Sequence, residues 1–137
     1  MTEQDILNIL KDTKTIAVVG MSTKPNRPSV DVPAYLQAHG YKIIPINPRA
    51  TEILGERAYP DLLSVPDKVD LVEIFMRPEE IPPVVEDAIK IGAKVVWMQE
   101  GIVNEEAAAR AREAGLVAVQ NMCMRVAHRY FTAQGRI

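Results

Sequence analysis

Lys24, Arg27 and Arg49 are the residues with the clearest chemistry to offer, because each is a cation placed beside a turn. The first two lie in TIAVVGMSTKPNRPS, Thr15 to Ser29, where an apolar run closes on Gly20 and is followed by small hydroxyls and prolines. Gly20 allows close approach of a backbone. Ser22 and Thr23 supply hydroxyl donors. Lys24 and Arg27 add positive charge, and Pro25 and Pro28 stiffen the loop so that less entropy is lost on binding. If this loop opens a helix, the helix N-terminus adds its own attraction for anions, and the chemistry is phosphate binding. The competing interpretation is a solvated turn with scattered charges.

Two phosphate-loop patterns are absent. GxxxxGK[ST] does not occur. GxGxxG would need glycine at positions 22 and 25, which are Ser22 and Pro25. A second test lies at the turn after YKIIPI, where a nicotinamide dinucleotide fold places a carboxylate for the ribose hydroxyls. Here the chain reads Asn47, Pro48, Arg49. An arginine there suits a phosphorylated ribose, which leaves NADP and coenzyme A as the two candidates. An Asn-Pro dipeptide also favours a plain turn.

These residues need elements to hold them. Thr2 and Asp5 form a capping box for a helix within residues 1–13. Apolar runs predict strands at TIAVV, YKIIPI (41–46), DLVEIF (70–75), KVVWM (94–98) and LVAV (116–119). Helices are predicted at Pro28–His39, Pro78–Ile91 (starting in earnest at Pro82 and Pro83) and EEAAARAREA, the last capped by Asn104 and paired internally by Glu106 and Arg110. Between 47 and 69 the chain reads as a long connection with a short helical turn at Asp61–Ser64. QNMCMRVAHRYF predicts a final helix in a tail over 121–137. The strands are continuously apolar, so both sheet faces are covered. The expected fold is α/β: a single doubly wound, Rossmann-like domain over 1–137, with a mainly parallel five-stranded sheet and its ligand at the carboxyl ends of the strands.

The bulk composition narrows the class further. With 137 residues, 47% hydrophobic, and a formal net charge of −2, the chain suits one core and gives no general attraction for nucleic acid or anionic membranes. No apolar run reaches the roughly 18 residues of a transmembrane helix. The acidic start, MTEQDILNILKD, does not read as a signal peptide. One cysteine, Cys123, excludes an internal disulfide, and a cytoplasmic location is the simplest fit. Two histidines distant from that cysteine argue against zinc.

Taken together, VVGMSTKPNRPS, YKIIPINPRATEILGERAYPDL, VDLVEIFMRPEEIPPVVEDAIKIGAKVVWMQEGIVNEEAAARAREAGL and NMC resemble the stand-alone CoA-binding domain proteins. Those proteins are similar to the N-terminal CoA-binding domain of the succinyl-CoA synthetase α subunit. The resemblance runs from about Thr15 to Arg129. It implies that coenzyme A, free or as a short acyl-CoA, lies along the carboxyl edge. It assigns Gly20, Ser22, Thr23, Lys24 and Pro25 to the phosphate loop, and Asn47, Pro48 and Arg49 to the adenosine end. Phe75 to Pro78, including Arg77, border the nucleotide, and Met98, Gln99 and Glu100 follow the fourth strand. Asn121 and Cys123 match the Asn-Cys of a Pro-Asn-Cys-Pro turn, but Gln120 precedes the Asn, Met122 separates it from the Cys and Met124 follows, so the proline-built turn is lost, which weakens a thiol-end role. No phosphohistidine loop accompanies His39 or His128, so synthetase catalysis does not carry over.

No catalytic constellation is found otherwise. Cys123 could attack or pair with a thiol, but a cysteine between methionines reads better as a small buried hydrophobe. Glu100 could move a proton, but no partner base lies near it in sequence, and accepting backbone bonds from the Gly101 turn explains it more simply. His128 reads as part of a helix packed on the sheet edge with its charges exposed, and the apolar tail could serve a homodimer or another protein partner. The expectation is a binding or regulatory module for CoA, not an enzyme. The alternatives are an NADP-linked oxidoreductase or reductase subunit and an interaction protein with a vestigial site.

Overall fold

Val, Ile and Ala fill the first strand because both its faces are covered. In the computed structural model, which describes all 137 residues, β1 (Thr15–Val19) is an inner strand of an all-parallel sheet. Its neighbours are β2 (Lys42–Ile46) on one side and β5 (Leu71–Ile74) on the other. Then come β6 (Val95–Met98) and β7 (Val117–Val119), giving the order β2-β1-β5-β6-β7. The chain leaves β1 toward β2, then returns to build the other half from β5. The carboxyl ends of β1 and β5 therefore flank the point where strand order reverses, which is where ligands settle in open α/β sheets.

Five α-helices cover the two faces. On one side lie α1 (Glu3–Asp12), α2 (Pro28–Ala38) and α5 (Met124–Ala133), burying Leu10, Leu36 and Phe131 against Ile16, Val18 and Trp97. On the other lie α3 (Ile81–Lys90) and α4 (Glu105–Glu113), burying Val85, Ala108 and Ala111 against Val72, Val96 and Met98. The small alanine face of α4 lets it approach the sheet closely. α1 opens with the expected capping box: Asp5 N donates to Thr2 Oγ1 at 3.1 Å and Thr2 N to Asp5 Oδ2 at 2.9 Å. Asn104 caps α4, its Oδ1 accepting from Ala107 N at 2.9 Å.

Three details differ from the sequence reading. Residues 52–57 form a small antiparallel hairpin, β3 (Glu52–Ile53) and β4 (Glu56–Arg57). Its turn places Leu54 (φ 55°) and Gly55 (φ 73°) both at positive φ, a geometry for which leucine is a poor signal. α5 covers a face of the sheet, not its edge, and His128 is buried within it. Arg110 pairs with Glu86 of α3 (2.8 Å) and Glu113 (3.2 Å) instead of Glu106, tying the two helices of that layer together.

Candidate functional site

The carboxyl edge is built on Gly20. Its φ is +84°, and a Cβ there would stand 2.0 Å from the carbonyl oxygen of Phe75. The close approach expected of this glycine is thus to the end of β5, whose Phe75 N donates to Val19 O at 2.9 Å. Beyond it the loop is shaped locally. Ser22, half-buried, uses its Oγ to accept from Lys24 N at 3.0 Å, and Asn26 sits at φ 63°. Arg27 is the extended N-cap residue of α2 and Pro28 its first helical residue. Thr23, Lys24, Pro25 and Arg27 are exposed, and neither cation belongs to any of the chain's ion pairs.

The second turn is held to the first by Asn47. Its Nδ2 donates to Met21 O at 2.9 Å, while its Oδ1 accepts from Arg49 N (2.8 Å) and Ala50 N (3.1 Å). Asn47 therefore spends its side chain on fixing the turn, and Pro48 and Arg49 remain exposed, the arginine unpaired. Between these turns lies a cleft of about 480 Å³, bordered by Gly20, Met21, Asn47, Arg49, Met76 and Asp87. Arg49 lines this crevice together with Asp61 and Asp87, while Lys24 and Arg27 stand exposed on the loop that follows Gly20.

The other expected residues divide. Arg77 is exposed but engaged, 3.2 Å from Glu80 and 3.8 Å from Glu79. The Met98 side chain is fully buried in the α3–α4 core. Gln99 is buried too: its Nε2 donates to Glu73 Oε2 and its Oε1 accepts from Met124 N at 3.3 Å. Glu100 is exposed, and the Gly101 turn is satisfied by Asn121 Oδ1 (2.7 Å), not by Glu100. Cys123 is partly buried against the α5-side core and is the N-cap residue of α5.

Glu73 was not singled out from the sequence. It is fully buried in β5, and burial pushes its carboxyl up to about 8. Its Oε1 has no partner. The signal is one carboxylate inside the otherwise apolar run LVEIF, Leu71 to Phe75. His39 and His128, also far apart in sequence, meet on the α2–α5 contact with ring centroids 5.0 Å apart. Tyr35 Oη bonds His128 Nδ1 at 2.8 Å, and desolvation, then the neighbouring His39, holds His128 below its ordinary value.

Comparison with known proteins agrees with this architecture. A family model described as CoA binding domain matches residues 14–129. The chain is 40% identical over 127 residues to the Bacillus subtilis (strain 168) protein YneT, covering 93% of this chain and 94% of that one. It is 34% identical over 96 residues to the alpha subunit of the ADP-forming acetate–CoA ligase I of Pyrococcus furiosus, covering 66% of this chain but only 21% of the ligase subunit. Among solved structures, a protein of Pyrococcus horikoshii OT3 superposes with a TM-score of 0.93 at 45% identity, over 96% of this chain and 93% of that one. A crevice at the carboxyl edge of a parallel sheet and a family match spanning all of that sheet lead to one conclusion: the chain belongs to the CoA binding domain family.

Proposed function

We propose that the protein binds coenzyme A, free or as a short acyl-CoA, and acts as a binding or regulatory module whose output is ligand occupancy. The observation that carries this reading is the 480 Å³ crevice at the carboxyl edge, lined by the unpaired Arg49, with two further unpaired cations, Lys24 and Arg27, on the loop that follows Gly20. Family membership supports the ligand class. The diphosphate lies on the Gly20–Arg27 loop and the N-terminus of α2, where the helix dipole and the cations favour an anion. Arg49, with Lys24 or Arg27, neutralises the ribose phosphate, and the apolar floor of the crevice takes the adenosine.

Thermal unfolding with CoA, acetyl-CoA, dephospho-CoA, NADP and NAD tests the reading. At a hundredfold excess over its dissociation constant, a ligand specific for the folded state adds about 2.7 kcal/mol. In a chain of this size that raises the midpoint by several degrees. The expected result is a shift with CoA, a smaller one with dephospho-CoA and none with NADP. A shift with NADP alone would move the protein to the oxidoreductase class. Arg49→Ala is expected to weaken CoA while leaving dephospho-CoA nearly unchanged; equal losses for both would remove Arg49 from the ribose phosphate.

A further inference from the structure

The chain holds one cation that is neither solvated in full nor paired. Arg125, in the first turn of α5, has its Nε sealed from water with no hydrogen-bond partner. It belongs to none of the six ion pairs. A guanidinium is always charged, and burying one of its N–H groups without an acceptor is costly. Its place on the helix compounds the cost, because the first turn is the positive end of the dipole. α5 brings no acid to that turn and no side-chain cap. Several local rules are broken at one residue, which is the pattern expected where a function compensates.

The helix contacts say what Arg125 faces. α2 and α5 both start at the carboxyl edge of the sheet and lie against each other. Tyr35 Oη bonds His128 Nδ1 at 2.8 Å, and the Arg129 guanidinium lies 5.1 Å from the Tyr35 ring centre. Arg125 is one turn before Arg129 on the same face. It therefore faces the turn of α2 that precedes Tyr35, toward the N-terminus on which the Gly20–Arg27 loop ends. Asp31 lies in that turn and forms no ion pair with it. An oxyanion at the head of α2 would give that N–H an acceptor.

We infer that Arg125 is a further ligand-binding residue, whose guanidinium grips the diphosphate of the ligand from the α5 side while the Gly20–Arg27 loop holds it from the α2 side. The inference rests on the CoA reading above and deepens it, since it makes the anion site bipartite and couples occupancy to the α2–α5 contact.

Calorimetric titration of CoA, dephospho-CoA and succinyl-CoA into the wild type, Arg125→Gln and Arg125→Lys tests it, alongside the unfolding midpoint of each ligand-free protein. Charged hydrogen bonds of this kind correspond to a loss of about 10- to 100-fold in affinity. That loss is expected in Arg125→Gln for all three ligands alike, because all keep the diphosphate. Arg125→Lys falls between. The ligand-free midpoint of Arg125→Gln stays level or rises, since a buried unpaired N–H is gone. Wild-type affinity in Arg125→Gln overturns this inference alone. A lowered ligand-free midpoint with matching loss makes Arg125 structural. A loss confined to succinyl-CoA moves the contact to an acyl carboxylate. A wild type that binds no CoA removes the underlying reading and this one with it.

Discussion

Glu73 places a carboxyl where no water reaches, in the central part of the sheet, with only Gln99 beside it. Burial raises it from 4.5 to about 8, so the folded protein keeps its proton across a range in which the unfolded chain has lost it. The folded state then binds more protons, and stability falls as pH rises. The loss begins near 4.5, proceeds at about 1.4 kcal/mol per pH unit and ends near 8, where the folded state ionises too. Urea unfolding of the wild type and Glu73→Gln at several pH values checks this: the variant should lose that slope. At Gly20 the constraint is steric. Gly20→Ala puts a methyl 2.0 Å from Phe75 O at φ +84°, and neither the strand end nor the backbone can yield cheaply. A loss of more than about 2 kcal/mol in the same assay is expected.

Between residue and fold, single side chains tie elements together. Asn47 fastens the turn after β2 to the turn after β1 through Met21 O, Arg49 N and Ala50 N. Asn47→Ala should cost about 1–3 kcal/mol by denaturant unfolding, since all three backbone groups lose their partner at once. It should also weaken CoA, because Arg49 then stands on an unfixed turn. The bridge between α3 and α4 works differently. Arg110 grips Glu86 with both Nε (2.8 Å) and Nη2 (3.1 Å), but the side chains are 42% and 44% exposed. Water screens such a pair, so a double-mutant cycle on Glu86 and Arg110 should return less than about 1 kcal/mol. The alanine face of α4, not this ion pair, holds the layer.

At the level of the whole molecule, two buried titrating groups on the same side of the sheet oppose each other. His128 is held below its ordinary value by desolvation and by His39, so its contribution is present above pH 6.5 and is lost on acidification through its folded value. Glu73 acts with the opposite sign. Below pH 6.5 the His128 slope opposes that of Glu73, and above it the Glu73 slope stands without it. The wild-type stability curve should therefore decline more steeply between about 6.5 and 8 than just below 6.5. His128→Gln should tilt the acid side, with stability falling as pH rises, and leave the decline above 6.5 intact. Midpoints of thermal unfolding across pH 5 to 9 distinguish these shapes.

The sequence by itself determined the layered α/β class, the strand and helix order and the loops carrying Lys24, Arg27 and Arg49. Those features are local: continuous apolar runs, capping residues such as Thr2, Asp5 and Asn104, and glycines where the chain turns. Only the tertiary structure decided which side chains remain free at the edge. Met98 ends β6 and Gln99 follows it, and both are turned into the core, because a strand alternates its faces and both faces here are covered. The hairpin at 52–57 escaped notice because Leu54 takes a conformation leucine rarely adopts. Glu73 with Gln99 and His39 with His128 are pairings across 26 and 89 residues of chain. No local pattern encodes such meetings; they arise when parallel crossovers stack α2 and α5 on one face of the sheet.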